Sequence, residues 1–250
     1  MPQSKTGAIV WKGKSLLDGK PIVLIATLGS SRTTNKKTGR MVQTYILRSD
    51  ISPLEALKTG QDVSICGDCP HKQTEQGTCY VRVDTGPTCV YKAFARGSYP
   101  MLESVPNRFD GFMLRLGAYG DPAAIPLDVW LGLLKRAKGS TGYTHQWKSD
   151  PIPSTLRQVC MASCDNEEED RQAKALGWRT FTLIPKGGAP IPGSFLCPAS
   201  EEGGRKLTCS ECLACDGLSS ARHASVYIPV HGVAYKVKRF NSQQLITIGG

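Results

Sequence analysis

Phe112-Met-Leu-Arg-Leu116 runs into Gly117-Ala-Tyr-Gly-Asp121-Pro122, then a stretch from Pro126 to Ala137, then Thr141-Gly-Tyr-Thr-His145. The outer two segments are short apolar or β-branched runs of strand length. The middle one opens on Pro126 and closes on Lys135, Arg136 and Lys138, the cationic end that a helix dipole favours. The same order recurs downstream. Val159-Cys-Met-Ala162 reads as a strand and Asn166 to Leu176 as a helix with Glu167, Glu168 and Glu169 in its first turn; Gly177 ends it, and Trp178 to Ile184 reads as the next strand. Alternation of strand and helix predicts an α/β fold, a partial, barrel-like parallel sheet with helices packed on it.

Upstream, Gly7 to Trp11 and Pro21 to Leu28 read as strands joined through Leu17-Asp-Gly-Lys20, and Met41 to Leu47 as a third. Residues 1–50 are therefore expected to form a basic N-terminal β element, and residues 51–250 an α/β barrel-like domain with two cysteine metal sites, the whole forming one compact unit. Ser52-Pro-Leu-Glu55 carries an N-cap, a proline at the first helical position and an acid at the third, with Gly60 as terminator. Pro87 to Arg96, closed by Gly97, is a second helix.

The chain of 250 residues is 40% hydrophobic and 21% charged, an ordinary globular balance that excludes disordered and collagenous classes. The longest apolar run, Pro21 to Leu28, falls far short of the ~20 residues that span a bilayer, and Met-Pro-Gln-Ser-Lys is no signal peptide, so no membrane partner and a cytoplasmic location are expected. The net charge of +10 is regional: residues 1–48 hold nine Lys or Arg against the single acid Asp18. Such an excess suits a phosphate backbone, which makes nucleic acid bound through residues 1–48 the expected partner; a solvated lysine-rich face is the plainer alternative. Lys236, Lys238 and Arg239 beside Phe240 add a smaller cluster.

Parallel α/β sheets bind ligands at the carboxyl ends of their strands, so the residues there are read as candidate catalytic groups. They are Asp121 after the first strand, His145 after the second, Asp165 after the third and His231 after a later strand, Ser225 to Ile228. Each also has an ordinary structural explanation, Asp121 as a turn former before Pro122 and Asp165 as a helix cap.

Ten cysteines in a reducing compartment point to metal rather than disulfides. Cys197, an eleven-residue spacer and Cys209-Ser-Glu-Cys212-Leu-Ala-Cys215 form a four-thiol set, suited to structural zinc or to an iron–sulfur cluster. Cys66-Gly-Asp-Cys69-Pro-His71 followed by Cys79 supplies three further ligands. Either the fourth position is open to a cofactor or substrate, or His71 or Cys89 completes a zinc knuckle. Cys160 and Cys164 read as core or rim thiols.

Taken together, Thr34-Asn-Lys-Lys-Thr-Gly39, Cys66-Gly-Asp-Cys69-Pro, Cys79-Tyr80, Gly120-Asp121, Thr141-Gly-Tyr-Thr-His145, Cys197-Pro, the Cys209/Cys212/Cys215 run and His231-Gly232 resemble an uncharacterised phage and prophage family, the proteins similar to mycobacteriophage gene product 88. That resemblance implies a viral origin and a host-cytoplasmic location. A more distant one is to radical S-adenosylmethionine enzymes, partial α/β barrels in which three cysteines hold a [4Fe–4S] cluster that binds S-adenosylmethionine. It implies that role for Cys66, Cys69 and Cys79, and an auxiliary cluster on Cys197, Cys209, Cys212 and Cys215, although the usual C-x3-C-x2-C spacing is absent. The expected function is thus a phage-type iron–sulfur enzyme acting on nucleic acid or a nucleotide. Two alternatives stand beside it: an enzyme similar to the guanine transglycosylases, with structural zinc and Asp121 and Asp165 as nucleophile and base, and a non-enzymatic zinc-stapled module that binds nucleic acid or a host protein.

Overall fold

The computed structural model describes residues 4–28, 37–72, 74–149, 154–204, 206–219 and 224–248, with side chains to residue 243. Arg32, Thr34, Asn35 and Lys36, part of the basic stretch and of the phage-like motif, lie outside the described residues.

Three strands come first, β1 (Gly7–Lys14), β2 (Pro21–Leu28) and β3 (Met41–Arg48), paired antiparallel in sequence order. Three helices follow: α1 (Pro53–Lys58), α2 (Val63–Cys66) and α3 (Gly86–Ala95). Then come β4 (Met113–Tyr119), α4 (Leu127–Leu134), β5 (Gly139–Thr144), β6 (Met161–Cys164), α5 (Glu167–Ala175), β7 (Thr180–Ile184), β8 (Ser194–Leu196), α6 (Cys209–Cys212), β9 (Ser225–Pro229) and α7 (Ala234–Ile248). All nine strands share one sheet, ordered β1-β2-β3-β4-β5-β6-β7-β9-β8, and every pairing from β3 onward is parallel. Its end strands, β1 and β8, do not pair, so the sheet is open.

Local signals explain most of these elements. Ser52 caps α1, its hydroxyl accepting the Glu55 amide, and Asn166 caps α5 by accepting from Glu169. The connection from β5 to β6 holds only short 3-10 turns, at Gln146–Lys148 and Ser154–Gln158, among its described residues. Neither β8, three residues long, nor α7 carried a clear sequence signal.

From β3 to β7 the strands lie side by side in chain order, so the sheet winds in one direction. Right-handed crossovers then carry the connections over one face and leave the other to the interior. The two faces are visible in the side chains. Thr180 and Thr182 hydrogen-bond the Asp170 carboxylate of α5, whereas Phe181 and Leu183, between and beyond them, line a cavity over the opposite face. Gly117 and Tyr119 of β4, Thr141 and Tyr143 of β5, and Val226 and Ile228 of β9 line the same cavity with the same two-residue period. On the helix side Leu114 and Leu116 are fully buried, each contributing about 1.5–3 kcal/mol of apolar burial.

The basic N-terminal stretch is not one surface. Lys5, Lys12, Lys14, Lys20 and Arg40 are exposed, but Arg48 is buried against Asp50 and Ser64, and Lys37 reaches into the cavity. Of the C-terminal cluster, Phe240 is buried at 2% exposure and Lys236 donates to the Cys79 carbonyl, so α7 packs down on the first cysteine loop. Among the described residues no helix is long and apolar enough to cross a membrane.

Candidate metal-binding site

One cavity of about 450 Å³ gathers most of the chemistry. Cys66, Cys69 and Cys79 open on it, and so do Cys197, Cys209, Cys212 and Cys215. The first set sits where α2 ends. Cys69 donates its amide to the Cys66 carbonyl, Cys79 donates to the His71 carbonyl, and between the first two thiols the chain turns at Gly67 with φ 57°. Gln146, just beyond β5, lies against that turn and its amide donates to the Cys66 carbonyl; a Cβ at Gly67 would meet Gln146 Oε1 at 2.3 Å. Glycine therefore does two things here, taking the left-handed backbone and admitting the clamp.

The second set is held from both sides of the molecule. Cys197 follows β8 and donates its amide to Tyr227 of β9, while Cys209 donates to the Lys37 carbonyl. Thr208 and Glu211 form a capping box around α6, which carries Cys209 and Cys212. Cys215 accepts at its carbonyl from Gly142 of β5. Burial pushes the thiols of Cys66, Cys79, Cys197, Cys209 and Cys215 up from the usual cysteine range, which favours their neutral form; ligation of a metal by them would release protons. Lys37 and Arg115 lie close enough to the second set to interact electrostatically with its thiols.

Among the described residues no three sulfurs lie within 4.8 Å of one another. Tetrahedral zinc with four thiolates brings its sulfurs to about 3.8 Å, given zinc–sulfur bonds of about 2.3 Å. The thiols here stand on the walls of the cavity. Cys89, weighed as a fourth ligand, is exposed on α3 and does not line it; Cys160 and Cys164 are buried in the core, as expected of bystanders.

The three groups that do meet at metal-ligand spacing are His71, His145 and Asp165. Asp165 Oδ1 lies 2.8 Å from His71 Nε2 and 3.8 Å from His145 Nε2. His71 Nδ1 is 2.6 Å from Thr78 Oγ1, and His145 Nδ1 is 3.5 Å from Cys69 Sγ. Burial raises the Asp165 carboxyl, but the adjacent His145 and His71 imidazoles outweigh this and hold it well below the usual carboxylate range. Burial likewise lowers His145, while the Cys69 sulfur and Asp165 carboxylate overcome it and hold the imidazole well above its ordinary value.

Strand-end reasoning named Asp121, His145, Asp165 and His231, and three of these come together. Asp121 Oδ1 accepts from the Ala123 amide and Oδ2 from the His145 amide, so its carboxylate anchors the backbone that presents His145. Its cap role at the Pro122–Ala124 turn is the structural one expected; Asp165, by contrast, is no cap, since Asn166 takes that position. His231 lines the cavity elsewhere, at 2.9 Å from Lys37 Nζ. Sequence reasoning weighed His71 only as a zinc-knuckle ligand and missed its meeting with Asp165, 94 residues away. Its only local signal was its place two residues after Cys69. No protein-family model, curated protein or solved structure matches the chain.

Proposed function

We propose that the chain is an iron–sulfur enzyme of the radical S-adenosylmethionine type, phage-encoded and acting in the host cytoplasm on a nucleotide or nucleic acid. The observation that supports this best is the opening of seven thiols, in two spaced sets, on one cavity over the inner face of a sequentially wound parallel sheet. Among the described residues no three sulfurs lie within 4.8 Å of one another, a spacing that suits a polynuclear cluster, whose iron atoms occupy separate corners, better than a single zinc ion, which would need them in near contact.

In this reading Cys66, Cys69 and Cys79 hold the first cluster and Cys197, Cys209, Cys212 and Cys215 the second. A cluster held by these three thiolates would keep one iron open to S-adenosylmethionine and would supply the electron for its reduction. The chain's own residues set the conditions for that chemistry. His145 lies beside Cys69 Sγ and tunes the sulfur by hydrogen bonding. Phe181, Leu183, Val226 and Ile228 form an apolar wall of the cavity, which would limit water around a bound cofactor. Lys37 and Arg115 give the cavity cationic groups suited to phosphate.

The test is anaerobic purification with metal analysis, visible absorption and an assay for cleavage of S-adenosylmethionine under reducing conditions. The expected result is a brown protein with several irons per chain, whose cleavage activity is lost in Cys66→Ala and Cys79→Ala. A colourless protein with stoichiometric zinc overturns the reading.

A further inference from the structure

His71 and His145 point their Nε2 atoms at the same oxygen, Asp165 Oδ1, from loops 74 residues apart in sequence. The outer nitrogen of each ring already has a neighbour, Thr78 Oγ1 for His71 and Cys69 Sγ for His145. Such outer contacts fix a histidine's tautomer and leave Nε2 as the ligand atom. Holding the rings in place are the Asp121 carboxylate beneath the His145 amide and the Phe240 ring, 6.1 Å from the His71 ring. On the other side the Asp165 amide donates to Glu169 Oε2.

His145 Nε2 is the atom the fold leaves unexplained. It is buried and has no hydrogen-bond partner among the described residues, its nearest acidic atom being Asp165 Oδ1 at 3.8 Å. If Nε2 carries a proton, a buried N–H lacks an acceptor; if it does not, its lone pair faces a carboxylate oxygen. Both arrangements are costly in a dry site. A cation between the three atoms removes both costs. Metal bonds of about 2.0–2.2 Å place neighbouring ligand atoms about 2.8–3.6 Å apart; the two separations here are 2.8 Å, at the lower end of that range, and 3.8 Å, just above it.

We propose that His71, His145 and Asp165 form a mononuclear site for a first-row divalent metal ion, distinct from both thiol sets. Three protein ligands leave coordination positions open, as catalytic rather than structural sites do, and both imidazoles line the cavity. The ion would bind an oxygen atom of a substrate or a water in that cavity. Two histidines and one carboxylate suit iron(II), manganese(II) or zinc, and manganese(II) separates this site from the thiols because it favours nitrogen and oxygen over soft sulfur.

The experiment is titration of the full chain, purified anaerobically, with manganese(II) alone, bound ion being read from loss of the free-ion electron paramagnetic resonance signal. One manganese per chain is expected, with binding at least about 100-fold weaker in Asp165→Asn and in His71→Gln. Asp165→Asn keeps an oxygen for the His71 contact, and circular dichroism establishes that it folds. Cys79→Ser and Cys212→Ser are expected to bind manganese as the wild type does. Failure of the wild type to bind one ion, or undiminished binding in folded Asp165→Asn and His71→Gln, overturns the proposal. Iron content and visible absorption are read separately, so the thiol-centred reading stands or falls on its own.

Discussion

Arg179 is the residue whose loss tests the architecture most directly. It stands just before β7, is 4% exposed, and directs its guanidinium at the loop that carries Cys215. Nη1 donates to Asp216 Oδ1 at 2.7 Å and to the Gly217 carbonyl; Nη2 donates to the Ala214 and Ala224 carbonyls at 2.6 and 2.7 Å. Arg179→Met keeps much of the volume but leaves the Asp216 carboxylate buried without its cation and three carbonyls without this donor. Breaking a buried ion pair from one side costs about 3–5 kcal/mol, a large share of the roughly 5–15 kcal/mol that stabilises a typical domain. Urea unfolding followed by circular dichroism, with wild type and variant in the same metal state, is expected to show that loss. Arg179→Met/Asp216→Asn is expected to recover part of it, because the orphaned charge is gone. The second thiol set should also lose metal before the first does. A loss below about 1 kcal/mol, or no recovery in the double variant, would refute the view that this pair fastens the Cys209–Cys215 segment to the sheet.

Three further outcomes are expected. Gly120→Ala places a side chain at φ 84°, with its Cβ 2.7 Å from Ile46 Cβ, and should destabilise by more than the roughly 1–2 kcal/mol of the left-handed backbone alone, read by the urea midpoint. Cys89→Ala should leave metal content unchanged while Cys212→Ala lowers it, since only Cys212 lines the cavity; elemental analysis of both decides. Phe240→Ala removes the buried ring by which α7 covers His71 and is expected to cost about 3–5 kcal/mol locally, seen as faster amide hydrogen exchange in α7 and across residues 69–79.

Elements with strong local signals were legible in the chain. The Ser52 cap, the acidic first turn of α5 and the apolar run of β2 each encode their own structure through neighbouring residues. The weak ones were decided by partners. Ser194–Leu196 is a strand because β9 pairs with it, and α7 is placed by the contacts of Phe240 and Lys236 rather than by a cap or terminator. Cys89 shows the limit from the other side, since its helix was predictable but its outward orientation was not.

The candidate site divides in the same way. Thiol spacing and the strand-end positions of Asp121, His145 and Asp165 are properties of local sequence, and they singled out the candidate residues. That both thiol sets face one cavity, and that His71 meets Asp165 while His231 turns to Lys37, depends on the order in which β3 to β9 lie in the sheet. Local sequence sets dihedrals and periodicity over a few residues; contacts across tens of residues arise only when the sheet buries its faces and fixes which loops share a rim.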